Sequence, residues 1–270
     1  MGEIAACNVT NDIFAMNAPE ISGMLVFLAI KTNTPSYIAE GILNGIKRFM
    51  ETKIDSKVVG GHTIYCDWPL IGGEASGFVK KEHIIPKGGV KAGDQLILTK
   101  PIGLQAIMAA YRILKEFPEM LKEYSKDELQ KSIDYATELM ITSNQPVVKT
   151  IHLYEDFSFV HSMTDVTGFG LAGHTREMLQ DSNLSATIET VPIIKLSKIL
   201  SEDLGYAMDD CRCHETAGGM LMAIDKEYLE EFVQKLRNNG IPNWLVGEIE
   251  KKKASTVTIS DEVEYFEVLG

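Results

Sequence analysis

Cysteine is scarce: Cys7, Cys66, Cys211 and Cys213 are the only four in 270 residues. That excludes a disulfide framework and fits a reducing compartment, so the cytoplasm is the expected location. Positive charge is in deficit, with 26 Lys and Arg against 38 Asp and Glu and a formal net charge of −12. Such a chain repels nucleic-acid backbone and anionic membrane, and neither is expected as a partner. A phosphorylated ligand would have to be met by backbone N–H groups, a few placed Lys or Arg, or a cation bridging carboxylate to phosphate. No uninterrupted apolar run approaches membrane-spanning length. The opening MGEIAACNVTNDIFAM has Glu3 and no basic start, so no secretory leader is expected. Ala6 stands where a myristoylation signal needs Ser or Thr. Cys211-Arg212-Cys213-His214 lacks the gap usual in zinc ligand pairs, and a loop or core role is favoured over a metal.

What is present is an ordinary globular composition, 45% hydrophobic and 24% charged. Ile4, Ala5, Val9, Ile13 and Met16 fall near helical spacing, so the chain opens as a helix already under way. GMLVFLAI (23–30) suits a buried strand, and Pro35 opens a helix through about Thr52. Strands follow near 57–65 and 70–79. The Gly- and Lys-rich PKGGVKAGD (86–94) marks a boundary between residues 1–88 and 89–270. Beyond it come strand 95–99, a helix over 104–116, and one long helix over 126–151 kinked at Pro146. Strand 158–163, a helix from Gly170, strand 185–191, a helix over 193–203, strand 218–224 and a helix over 226–240 closed by Gly240 continue the chain. Strands near 243–248 and 255–259 end it. Strand–strand pairs mixed with strand–helix units predict an α+β fold, not a doubly wound parallel sheet.

Several short stretches could carry chemistry. Asn8 and Asp12 share one helix face and could hold a divalent cation, although a solvated polar face has the same spacing. Gly60 and Gly61 interrupt a β-branched strand just before His62 and Thr63, which marks close approach of a ligand or of backbone. Lys100, in LTKPIG, ends a strand where it could meet phosphate or stand in solvent. HETAGGMLMAI (214–224) turns into a strand and reads as structural. In SMTDVTGFGLAGHTREML (162–179), Asp165 closes a strand, and Thr167, Gly168 and Gly170 make the turn into a helix. Glycines there let backbone N–H groups approach an anion at the helix's positive end, and Asp165 sits where a bound cation would be held. T-G-F-G is not a P-loop, and an ordinary strand-to-helix turn remains open on these residues alone.

Taken in order, IAACNVTNDIFAM, GGHTI, LTKPIG, TDVTGFGLAGH and HETAGG resemble the selenophosphate synthetase (selenide, water dikinase) family of the aminoimidazole ribonucleotide synthetase superfamily. The resemblance runs from residue 1 to about 250, and Asn144 of MITSN fits it. It implies a two-domain α+β fold with an incomplete N-terminal domain, which dimerises and binds nucleotide. It also implies ATP-dependent synthesis of selenophosphate from selenide and water, with AMP and phosphate released. Mg2+ is the implied cofactor, with K+ a further candidate, and a homodimer is the implied assembly. Asp12 then matches a residue binding metal and ATP, Asp165 a metal ligand, and Gly61, His62 and Thr63 an ATP-contacting segment. Asn8, Lys100, Thr167, Gly168 and Gly170 support the phosphate and its turn.

The departures also set expectations. The family's Gly-rich segment with its reactive Cys or selenocysteine and nearby Lys is absent, so catalytic residues are expected upstream of Met1 and the chain alone is expected to be weak. Cys7, in the helix stripe, reads as a packed thiol. Tyr65 replaces a frequent Asp, and His214 and Ala217 alter the family's P-E/Q-T-S-G-G. A related ATP-dependent small-molecule kinase or ligase, or a catalytically silent nucleotide-binding paralogue, are the alternatives.

Overall fold

The computed structural model describes residues 1–251 and 256–269. Helix α1 (Gly2–Ala15) forms as expected, but the face it buries is Ala6, Cys7, Thr10 and Phe14, while Ile4, Ala5, Val9 and Ile13 are only partly buried and Met16 is exposed, because the helix packs between two sheets and not on one apolar stripe. Strand β1 (Ile21–Ile30) follows, then α2 (Ser36–Phe49), which widens into a last turn over Met50–Ile54. Strands β2 (Val58–Tyr65) and β3 (Leu70–Gly77) complete a three-stranded sheet in the order β2-β1-β3. The β1–β2 pair is parallel, so the chain needs a crossover between them, and α2 supplies it. The β1–β3 pair is antiparallel.

The second sheet has six strands, in the order β5-β7-β4-β8-β6-β9. They are β4 (Gln95–Leu98), β5 (Val160–Asp165), β6 (Ser185–Ile194), β7 (Met220–Ile224), β8 (Trp244–Glu250) and β9 (Val257–Val268). Every pair is antiparallel except β6–β9. Helices α3 (Leu104–Glu116), α4 (Lys126–Met140), α5 (Gln145–Ile151), α6 (Gly170–Met178), α7 (Ser197–Leu204) and α8 (Leu229–Asn238) complete the α+β architecture. The helix expected over 126–151 is two helices. The break falls over residues 141–144, and Pro146 lies in the first turn of α5, where its missing N–H costs nothing. Ser125 caps α4 by accepting the Glu128 N–H.

Helix α1 joins the two sheets. One continuous apolar cluster runs from Ala6, Phe14, Met24 and Phe49 to Ile97, Val147, Met163, Met220 and Phe232. Two more clusters lie under the other parts of the large sheet, one around Leu98, Leu171 and Val246, the other between α3 and α4. Phe14 is fully buried in the shared cluster. Phe14→Ala is expected to cost about 3–5 kcal/mol and to preserve a single unfolding transition. Chemical denaturation followed by near- and far-UV circular dichroism checks both, and two separated transitions would contradict a shared core.

Candidate active site

Strand β5 ends at Asp165, whose residue is 5% exposed. Burial raises its carboxyl pKa from 3.8 to about 6, and the charge of Asp12 adds to the rise. Asp12 approaches from α1 and is exposed at the rim. Enough protein still surrounds its carboxyl that burial raises that pKa too, against the pull of Lys87 and His174. Two carboxylates that resist ionising together form an electrostatic vacancy for a cation. Among the described residues no cluster of three or more His, Cys, Asp or Glu could enclose a metal alone. A hard dication held here would draw its remaining oxygens from phosphate and water, which suits Mg2+. The chemistry of the pair therefore fits the ion.

The turn after Asp165 is braced from α6. His174 Nε2 accepts the Thr167 N–H at 3.0 Å and lies 3.2 Å from Thr167 Oγ1. Its Nδ1 is 3.0 Å from Glu177 Oε2, and Lys87 Nζ is 3.2 Å from the same oxygen. An accepting Nε2 leaves the proton of the neutral ring on Nδ1, the side on which Glu177 lies. Burial lowers the His174 pKa, opposed by Glu177, and this favours that neutral ring. Gly168 is exposed, and a Cβ there would meet nothing. Gly170 also answers a packing demand: its φ is +68°, and a Cβ would come within 2.7 Å of Arg212 Cα and Cys213 O. Its smallness seats the turn on the 211–213 segment.

The remaining expected residues divide. Asn8 Oδ1 accepts the Ala217 N–H at 2.8 Å, so it ties α1 to the 214–219 strap. Lys100 is neither a phosphate contact nor a solvated loop lysine: it is buried, and Nζ donates to the carbonyls of Leu139, Thr142 and Ala217. The exposed lysine near the carboxylate pair is Lys87. Gly61, His62 and Thr63 lie on β2, at the edge of the small sheet. Gly61 admits close backbone approach, since a Cβ would fall 2.2 Å from Val26 O. His62 lines a shallow hollow on the open sheet face with Phe27, Leu70 and Glu74. Among the described residues no hydrogen bond or ion pair joins this segment to Asp12 or Asp165.

Sequence reasoning missed Lys87, the His174–Glu177 pair and Glu215. The i, i+3 spacing of His174 and Glu177 in GHTREM was the available signal. Glu215 is buried and accepts the Gly103 and Leu104 N–H groups at 2.8 and 3.0 Å, capping α3. Burial raises its pKa to about 7, although those bonds favour the anion. Cys211 and Cys213 are buried core thiols, and Cys7 is a buried thiol donating to Thr142 O at 3.3 Å. Burial raises the pKa of all three, which makes them poor nucleophiles.

Residues 1–79 match the family described as AIR synthase related protein, N-terminal domain, and residues 91–260 match its C-terminal domain. A selenide, water dikinase of Methanococcus maripaludis is 39% identical, over 99% of this chain and 80% of that one. That of Methanocaldococcus jannaschii is 37% identical, over 99% of this chain and 77% of its own. Among solved structures, E. coli HypE, a hydrogenase maturation protein, superposes with a TM-score of 0.76 at 16% identity, over 100% of this chain and 78% of that one. Thiamine monophosphate kinase from Aquifex aeolicus gives 0.68 at 18% identity, over 99% and 83%. The chain belongs to the AIR synthase related proteins, in the branch of the selenide, water dikinases.

The Asp165 shift has a stability consequence. Its folded pKa lies above its unfolded one, so the folded chain keeps a proton that the unfolded chain releases between about pH 4 and 6. Stability from this group is present below that window and is lost as pH rises through it. Two pKa units correspond to about 3 kcal/mol. Asp165→Asn is expected to stabilise the magnesium-free chain by up to that amount at pH 8 and not at pH 4. Thermal denaturation in EDTA measures it, and an equal effect at both pH values would contradict the charge argument.

Proposed function

We propose that the chain is a selenide, water dikinase, which uses ATP to convert selenide and water to selenophosphate, AMP and phosphate. The carrying observation is the Asp12–Asp165 pair, drawn from two different parts of the fold and electrostatically unsatisfied without a cation. Its support is the 39% identity to a relative of that name over nearly the whole chain. In this reading Asp12 and Asp165 hold Mg2+ against the polyphosphate. The ion would supply neutralisation of the charge on the transferring phosphoryl oxygens. Lys87, exposed and paired with Glu177, adds positive charge felt by both carboxyls. In the turn braced by the Thr167 N–H on His174, Gly168 and Phe169 are exposed and offer backbone N–H groups at the start of α6. The boundary at residues 88 and 89 and a cytoplasmic location belong to the same reading, the latter on acidic charge and free thiols.

We also propose a homodimer formed through the open face of the small sheet. Leu25, Phe27, Val59, Ile64 and Leu70 are exposed around it, a concentration of apolar groups typical of interaction surfaces. Pairing two copies there is the arrangement that would bring Gly61, His62 and Thr63 to a nucleotide held by the other copy's carboxylates. Phe27→Asp is expected to give monomers in sedimentation and to weaken Mg-nucleotide binding at least tenfold. Monomeric native protein with full nucleotide affinity would overturn the assembly.

Nucleotide product analysis tests the activity. With selenide, Mg2+ and ATP, phosphorus NMR is expected to show selenophosphate, AMP and phosphate in equal amounts, slowly from this chain and faster once a Gly-rich segment with its reactive Cys and Lys is joined ahead of Met1, and Asp12→Asn is expected to abolish all three. ADP as the sole nucleotide product would move the chain to a kinase or ligase reaction. Mg-ATP binding without turnover even in that extended form would make it a nucleotide-binding paralogue.

A further inference from the structure

Among the described residues Lys100 is the only buried lysine, 4% exposed. Its Nζ donates to Thr142 O at 2.7 Å, Ala217 O at 2.7 Å and Leu139 O at 2.9 Å. Asp165 and Cys7 act on it only through space. Burial lowers its pKa, yet three acceptors require three N–H donors, and only the ammonium has three. A neutral amine would leave a buried carbonyl without a partner, which is costly. Leu139 and Thr142 lie at the carboxyl end of α4, the negative pole of that helix. The site is a carbonyl cage of the kind that replaces the hydration shell of a monovalent cation. Here the cation is covalently tethered.

The cage also lies between the two halves of the candidate site. The Ala217 carbonyl accepts from Lys100, while the Ala217 N–H donates to Asn8, one helical turn before Asp12. The strap continues to Gly219, whose carbonyl accepts the Val166 N–H at 2.9 Å, next to Asp165. Gly218 O accepts from Asn144 Nδ2 at 2.9 Å. The Glu215 N–H donates to Thr167 O at 3.1 Å. Gly219 packs on the Lys100 backbone itself, with no room for a Cβ, which would fall 2.4 Å from its N.

We infer that Lys100 is a built-in monovalent cation whose ammonium fills a three-carbonyl cage and pins the 215–219 strap to the end of α4, setting the spacing of Asp12 and Asp165. Lys100 is a positioning residue in this sense. That second half rests on the proposed role of the pair, whereas the cage does not.

Two experiments test it. In native protein labelled with 15N-lysine, Lys100 is expected to give a slowly exchanging ammonium resonance at pH 8. Absence of any protected ammonium overturns the inference. Lys100→Ala is then melted in sodium, potassium, ammonium and methylammonium chloride at equal ionic strength. Its midpoint is expected to be low in sodium and to rise in ammonium or methylammonium, while native protein and Lys100→Met show no such selectivity. A loss in Lys100→Ala that no cation relieves overturns the cage. If Lys100→Ala does not fold, Lys100→Met decides: its Mg-AMPPNP affinity is expected to fall about ten- to a hundredfold, and unchanged affinity overturns the positioning role. If native protein binds no Mg-AMPPNP, the functional reading fails, and the ammonium resonance and cation-selective melting still decide the cage.

Discussion

The passage of the 214–219 strap through the middle of the molecule is the constraint on which the rest depends. Gly218 and Gly219 run so close to Val166 and Lys100 that a Cβ at either would strike backbone, at 2.0 Å from Val166 O and 2.4 Å from Lys100 N. Ala217 holds a φ of +50°, a strained conformation for a residue with a side chain. It is kept there because both its peptide groups are bonded, to Asn8 and to Lys100. Glu215 at the start of the strap caps α3, and Thr99 Oγ1 accepts the Met220 N–H at 2.8 Å at its end. The helix that carries Asp12 and the strand that carries Asp165 are both hydrogen-bonded to this one segment or to residues beside it, through Asn8 and Val166.

Charge is arranged in opposition to the overall balance. A chain with a net charge of −12 gathers Lys87, Lys100 and His174 around two of its carboxylates. These groups do not neutralise the pair, because Lys100 spends its donors on carbonyls and Lys87 is drawn to Glu177. The deficit left at Asp165 is what a dication would relieve in the proposed reading. Under the proposed reading the acidic balance is no obstacle to a polyphosphate ligand, because a bridging cation and a few placed groups would meet it.

The order of strands and helices was largely readable from sequence, because apolar periodicity and turn residues act locally. TDVTGFG showed its strand end, its turn and its helix start, and Asp165 stands out among them. The misreadings share one cause, dependence on contacts distant in sequence. Pro146 looked like a kink because the helix pattern resumes after it, and only the break over 141–144 shows that it begins a new helix. Lys100 looked like a loop lysine because its partners lie 39, 42 and 117 residues away. The packing of Gly170 on the 211–213 segment is likewise a contact that the local pattern does not show. The length of β9 was hidden because its partner is β6, and local alternation past residue 259 is polar. The separation of Gly61–Thr63 from the carboxylates is likewise a property of sheet order, on which spacing along the chain is silent.

The apolar cluster under α1 belongs to both sheets at once. Many enzymes that gather ligands from two structural units open and shut like a jaw about a hinge. A jaw needs a seam, a plane across which few side chains interlock. Here Phe14, Met24 and Phe49 are packed in one cluster with Met163, Met220 and Phe232, so no such plane exists between the parts that carry Asp12 and Asp165. Interiors at crystal-like density resist shear. A ligand reaching the two carboxylates would therefore meet exposed groups at the rim, Lys87 and the Gly168–Phe169 turn, over one shared core.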